Sequence, residues 1–416
     1  MADPLIFVRG VHFAATLVAC GTVGFIHLVM TPAKVPSDVQ PLRNRLTALT
    51  LLALVVAIVS GAVWLLLLAT GILGAPFLDV CLHGGAWPVL FETRFGLVWC
   101  ARFGLALVLA LSLFRTVPKG FQLGSAVLLL CLPALVGHAG ATPGLTGDIH
   151  LVSDMLHLLT AGAWLGSLPA FALLFWQARR NSKSAWDSFA TRATRRFSTV
   201  AILSVSVLLA SGLVNSWNLL SSPRDLLTTE YGRLIALKAG LFAAMLALAS
   251  MNKFFLTPRL PERTAMRGLQ CNSLAEILLG LCVLGFVGML GTLSPTAHTH
   301  ATPVDQPPNV AFVHIHAPEA MAELTISPGR AGPVQTMIRV MREDFTMFPV
   351  KEVRLRLEPP TPGRPALELD AADLGDGLWQ VSGITIPEPG IWMVKVTVTP
   401  QPGGTILLDA PIVIER

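Results

Sequence analysis

The chain has 416 residues, of which 53% are hydrophobic and only 13% charged, and its mean hydropathy is +0.64. A soluble domain carries about 25% charged residues, so this composition excludes a purely soluble protein and points to the lipid bilayer as surroundings. The formal net charge of +5 is small and falls in short loops. No basic run is interleaved with aromatics, so no nucleic-acid partner is expected.

Eight apolar runs are long enough, or nearly so, to span a bilayer: 7–30, 46–70, 94–114, 121–138, 149–176, 197–220, 232–256 and 270–293. The Leu17–Cys20 run is followed by further apolar sequence and preceded by no basic start, so a retained span is expected rather than a cleaved leader. Basic residues alternate between loops. Lys34, Arg43 and Arg45 follow the first run, Arg115 and Lys119 the third, Arg179 to Arg196 the fifth, and Lys253 to Arg267 the seventh. The other loops are nearly free of Lys and Arg. The positive-inside rule then predicts both termini outside a bacterial inner membrane. Under that orientation His12, His83, His138, His150, His157, His298, His300, His314 and His316 fall at or beyond the outer face, and only His27 lies toward the inner one.

The chain changes character after Leu293. Residues 295–309 read as a linker rich in Pro, Thr and His, and 310–416 as a separate domain. The runs VAFVHIHA, AELTIS, TMIRVMR, EVRLRLE, LWQVSGITI, IWMVKVTVT and TILLDAPIVI alternate like strands, with Pro-Gly turns between them. The predicted architecture is an all-α polytopic bundle of eight transmembrane helices over 1–294, followed by a small all-β immunoglobulin-like sandwich.

The chemistry concentrates at the start of the fifth run, in GHAGATPGLTGDIHLVSDMLHLLTAGAWLG from Gly137 to Gly166. Polar groups are expensive at membrane depth and mark function by default. His150, Asp154 and His157 are spaced i, i+4, i+7, so they share one helix face. Two imidazoles and a carboxylate there suit a metal, with the carboxylate as ligand or as an orienter of a histidine; the alternative is a helix cap lining a wet crevice. His12, on the first span, is placed to meet His138 or His157, or else is simply hydrogen-bonded to a neighbour. His314 and His316 alternate on one strand face, and Cys81 and His83 form a Cys-Leu-His pair; both are secondary metal candidates. Arg102, Lys238 and Glu276 lie inside spans and are expected to face the interior as ion pairs or along a wet path. The six cysteines include no CxxC, so neither a disulfide framework nor a zinc ribbon is expected. There is no Walker loop, GxGxxG or HExxH, and no hydrolase or nucleotide-driven pump is indicated.

The run DIHLVSDMLHLLTAGAWLGSLPAF, followed by SGLVNSW, YGRLIALKAGLF, MNKFFLTPRL and LAEILLG ending in LGTLSP, resembles the CopD family of copper-resistance membrane proteins. The likeness covers residues 137–295 well and the first four runs loosely. The terminal domain, with PGRAGPVQTMIRV and PEPGIWMVKVTV, is similar to YtkA-like or CopC-like sandwiches, although no N-terminal histidine ligand is present. The resemblance implies copper, as Cu(I) or Cu(II), moved from periplasm to cytoplasm, with His138, His150, Asp154 and His157 as the matched positions. A periplasmic copper chaperone is an implied partner. Two other readings stay open: a haem b protein with histidines ligating iron between helices, and a copper-delivery protein that does not transport.

Overall fold

The computed structural model describes residues 3–30, 39–73, 76–82, 86–136, 144–181, 184–220, 222–293, 310–316, 320–342, 348–361, 364–375, 377–401 and 403–415. Residues 71–73, 88, 92, 94, 144–146, 314 and 316 are described by backbone alone. The chain divides into two compact units, Met1–Thr299 and His300–Arg416.

The first unit contains eight helical spans long and apolar enough to cross a membrane. Helix α1 (Pro4–Gly24) runs on through a π turn at Phe25–Val29, and α2 covers Gln40–Leu73. Helices α3 (Arg94–Ser112) and α4 (Lys119–Cys131) follow, α4 tightening into a 3-10 turn at Leu132–Val136. The fifth span is broken: α5 (Gly144–Trp164) meets α6 (Leu168–Arg180) through a 3-10 turn at Leu165–Ser167. Helix α7 covers Ser184–Leu219, α8 covers Glu230–Met251 and ends in a π turn at Asn252–Leu256, and α9 covers Arg263–Leu290. Side-chain oxygens of Asp3, Thr93 and Thr229 cap the first backbone N–H groups of α1, α3 and α8, which sets where those helices begin.

The helices extend beyond the apolar runs. α7 has 36 residues, about 54 Å at 1.5 Å per residue, against a hydrocarbon core of about 30 Å. Its first turns carry Arg192, Arg195 and Arg196 yet bury Trp186, Phe189, Ala190 and Ala193 on the other side. The charges conceal a helix that an amphipathic pattern continues.

α1 is central to the packing. Gly21 and Gly166 bring α1 and the 3-10 break backbone to backbone; a Cβ on Gly166 would strike the Leu17 carbonyl, and one on Gly21 the Gly162–Ser167 backbone. Ser167 Oγ donates to Gly21 O at 2.9 Å across the same contact. Gly288 of α9 packs against Ile6, so the start of α1 and the end of α9 share one end of the bundle, here the terminal end. At the opposite end Arg263 donates to Ala178 O at 2.9 Å and to Asn181 O at 2.8 Å.

The second unit contains two antiparallel sheets consistent with a β-sandwich. One has the order β1-β2-β3-β7-β6, with β1 Ala311–His316, β2 Met321–Ser327, β3 Gly332–Met341, β6 Ala372–Gly375 and β7 Leu378–Ile386. The other has the order β5-β4-β8-β9, with β4 Val350–Glu358, β5 Leu367–Asp370, β8 Gly390–Pro400 and β9 Ile406–Ile414. Alternate residues such as Leu324, Ile326, Ile338, Leu355, Leu357, Trp392, Val394 and Val396 form one buried core. β3 and β7 slip register between Val334 and Thr336, and Gly383 takes a φ of +79° opposite that slip, which favours glycine there. Seven strand runs were expected; β5 and β6 are additional.

Candidate functional site

The face predicted on α5 is formed and lies against α7. Ser153 Oγ donates to Ser211 O at 3.2 Å, His157 Nδ1 lies 3.0 Å from Ser211 Oγ, and Asn215 Nδ2 donates to Asp154 Oδ1 at 3.3 Å. Ser211 and Asn215 are one turn apart on α7, as Asp154 and His157 are on α5, so the pairs stack on adjacent turns. The imidazole Cε1 lies over Gly212, where a Cβ would meet it at 3.7 Å, an ordinary contact. His150, buried at 4% exposure, lies two turns from His157 toward the terminal end.

Ser211 has one hydroxyl proton, which Val207 O takes at 2.7 Å. With the proton on that shorter contact, rather than on the 3.0 Å one to the ring, the hydroxyl oxygen accepts from His157 Nδ1–H and Nε2 keeps its lone pair. No described residue hydrogen-bonds to that Nε2 or to the second oxygen of Asp154, and the buried Asn215 Oδ1 has no partner. Lys238 and Tyr231 of α8 come within electrostatic range of Asp154, and Lys238 also of His157, without a direct ion pair. An imidazole held by Nδ1, with Nε2 unpartnered and a carboxylate one turn away on the same helix face, is an arrangement in which histidine can take a metal ion.

His12 belongs to another cluster. Its Nδ1 donates to Ala57 O at 2.9 Å and lies 3.2 Å from Ser60 Oγ, both on α2. Its Nε2 must then accept, and Arg102 Nη2 of α3 donates to it at 2.6 Å. Trp64 and Trp99 enclose the ring at centroid distances of 5.6 and 4.8 Å. No hydrogen bond or ring contact joins it to His157 among the described residues.

The expected ion pairs of the intramembrane charges do not form among the described residues. Arg102, 4% exposed, uses His12, Leu129 O at 3.2 Å and the Trp99 face instead. Glu276 is held by Asn252 Nδ2 at 2.8 Å. A neutral acceptor satisfies the buried guanidinium, and an amide donor one oxygen of the buried carboxyl, without desolvating a second ion.

His138 and His83 lie outside the described residues, as do His298 and His300. Cys81 is an exposed free thiol. Residues 314 and 316 hold positions on β1 opposite Glu323 and Met321 of β2, on the strand face away from Ala311 and Ile315. Among the described residues no three His, Cys, Asp or Glu gather into a metal cluster. Ser153, Ser211 and Asn215 are not among the sequence candidates for the site; the i, i+4 spacing of Ser211 and Asn215 within an apolar span is the signal that pairs them with the α5 face.

Two family models match the bundle: copper resistance protein D over residues 191–290, and the copper resistance protein D-like N-terminal domain over residues 1–148. The chain is 30% identical to copper resistance protein D of Pseudomonas syringae pv. tomato, over 71% of this chain and 98% of that protein. It is 34% identical to inner membrane protein YebZ of Escherichia coli (strain K12), over 56% of this chain and 83% of that protein. Copper transport protein CutJ of Bacillus subtilis (strain 168) is 29% identical over 93% of this chain and 70% of its own length, a match that extends into the second unit. Matched by both family models and by a relative covered over 98% of its length, the chain belongs to the copper resistance protein D family.

Proposed function

We propose that this chain is a copper-binding protein of the bacterial inner membrane that moves copper from periplasm toward cytoplasm, without ATP hydrolysis and without acting as an enzyme. The observation that carries the reading is His157, anchored through Nδ1 to Ser211, with Nε2 without a hydrogen-bond partner among the described residues and Asp154 one turn away on the same face. Two relatives are named for copper resistance or copper transport and one for the inner membrane, which supports the assignment. His150 and His138 are the proposed further imidazoles. His12 is not, because Arg102 occupies its lone pair. A periplasmic copper-carrying protein is the proposed donor.

The orientation rests on the Lys and Arg alternation between loops, which sets the terminal end, and with it the His157 site, toward the periplasm. Impermeant thiol labelling of single cysteines should reach position 382 and not position 184 in intact cells; the reverse places the site on the inner side. The function is tested in vesicles reconstituted with the purified full chain. Uptake of copper without ATP, by a colourless protein, is the expected result. Copper binding without uptake assigns a delivery protein, and a strong Soret band that shifts on reduction assigns haem b.

A further inference from the structure

A second polar station lies in the other half of the bundle. Glu276 of α9 is 1% exposed. Its Oε1 accepts from Asn252 Nδ2 at 2.8 Å, and Asn252 Oδ1 accepts in turn from Asn272 Nδ2 at 2.8 Å. The other carboxyl oxygen has no hydrogen-bond partner among the described residues, and no cation closes on the group. Asn252 is about 21 Å along α8 from Lys238 at 1.5 Å per residue, so this station is separate from the His157 face.

Glu276 borders a cavity of about 180 Å³, room for several waters at about 30 Å³ each. Trp164, two turns beyond His157 on the same helix, forms one wall, with Phe171, Phe197 and Phe254 around it. Among the described residues the walls from α5, α6 and α7 contribute no titratable group, and the only other charge on the wall is Lys253 at the π turn after α8. No thiol, thioether or imidazole lines the space, so it lacks the soft donors that hold Cu(I). What it does offer is a carboxyl oxygen facing a small wettable cavity in an apolar surround. An ionised carboxylate is costly there without a counter-ion, and a proton removes that cost.

We propose that Glu276 is a proton-binding site, whose O–H gives its proton to cavity water as a copper ion passes and recovers one when the ion has left. It rests on the transport reading. The charge balance is one proton out for each Cu(I) in: the carboxylate formed offsets the monovalent cation while it crosses this half of the bundle, and reprotonation restores the neutral group. No electron is transferred; the released proton leaves to periplasmic water and the recovered one comes from cytoplasmic water, so the exchange is a net counter-flow.

Infrared difference spectra of the purified full chain, against Glu276→Gln, test the site without transport. The wild type should show a protonated-carboxyl band that shifts in heavy water, bleaches as the pH is stepped from acid to alkaline, and is missing in Glu276→Gln. Glu276→Asp should move the band rather than remove it, which serves where the glutamine variant folds poorly. No such band, or one that neither exchanges nor titrates, overturns the site. Vesicles with a pH dye inside then test its use. Copper uptake by the wild type should carry a counter-flow of protons, and Glu276→Gln should bind copper with unchanged affinity but lose that counter-flow. Equal proton movement in both overturns the coupling. Absence of any copper uptake by the wild type defeats the transport reading instead, while the infrared result still decides protonation.

Discussion

Two buried histidines in one bundle are committed in opposite ways. His12 gives its Nδ1 proton to a backbone carbonyl, and its remaining lone pair is taken by Arg102 at 2.6 Å inside an aromatic cage. His157 gives its Nδ1 proton to a serine, and its lone pair has no hydrogen-bond partner among the described residues, with Asp154 one turn away. The residue type and the tautomer are the same. What differs is the partner of Nε2: a guanidinium takes it in His12, and no described residue hydrogen-bonds to it in His157. Intramembrane histidine is therefore weak evidence of a ligand until the partner of its second nitrogen is known.

The comparison breaks most sharply at the His157 pair. Replacing His157 with Ala removes the open imidazole and should weaken copper binding by more than the roughly 10–100-fold that loss of an orienting partner costs; Ser211→Ala, which removes only the Nδ1 acceptor, should fall within that range. Copper titration of the purified full chain measures both, and equal affinities for wild type and His157→Ala would defeat the assignment.

His12→Phe should act on stability rather than on copper. It leaves the buried Arg102 guanidinium short of an acceptor, a loss of about 1–3 kcal/mol, while copper affinity stays near wild type. Thermal unfolding in detergent and the same titration separate the two effects.

Lys238→Met removes a positive charge in electrostatic range of both Asp154 and His157. A cation at that site then meets less repulsion, so copper should bind more tightly, by about 1–2 kcal/mol at an effective dielectric near that of partly wet protein. Unchanged or weaker binding would show that Lys238 instead organises the site.

How much of this was legible follows from which forces act locally. The eight spans were readable because an apolar run of membrane length declares itself, but the start of α7 at Ser184 was not, since its first turns are amphipathic and basic. The stripe of His150, Asp154 and His157 follows from helical spacing alone. Its partners on α7 do not, because the contact of α5 with α7 is a packing choice between distant segments. The same holds for Arg102 and His12, ninety residues apart, where neither signal on its own names the other. In the terminal domain the strands with buried alternation were found, whereas β6, exposed along its whole length, gave no such pattern.

The smallest effect is expected in that domain, which has its own core and should unfold cooperatively as residues 310–416 alone. Burial pushes the Glu323 carboxyl up, and Arg339 on the neighbouring strand partly opposes this. A raised folded value means the native state holds the proton longer than the unfolded chain, whose glutamates titrate near about 4.3. Stability from this group is thus full below that value and is lost as the pH rises through the folded one. Glu323→Gln should flatten this slope slightly, as read by thermal unfolding across pH; a steeper slope would give the group the opposite sign.

The central claim is that copper meets His157 and not His12. X-ray absorption at the copper edge of the loaded full chain counts imidazole ligands directly. The account predicts imidazole scattering that drops in His157→Ala and is unchanged in His12→Ala. Scattering that persists in His157→Ala and drops in His12→Ala would contradict it.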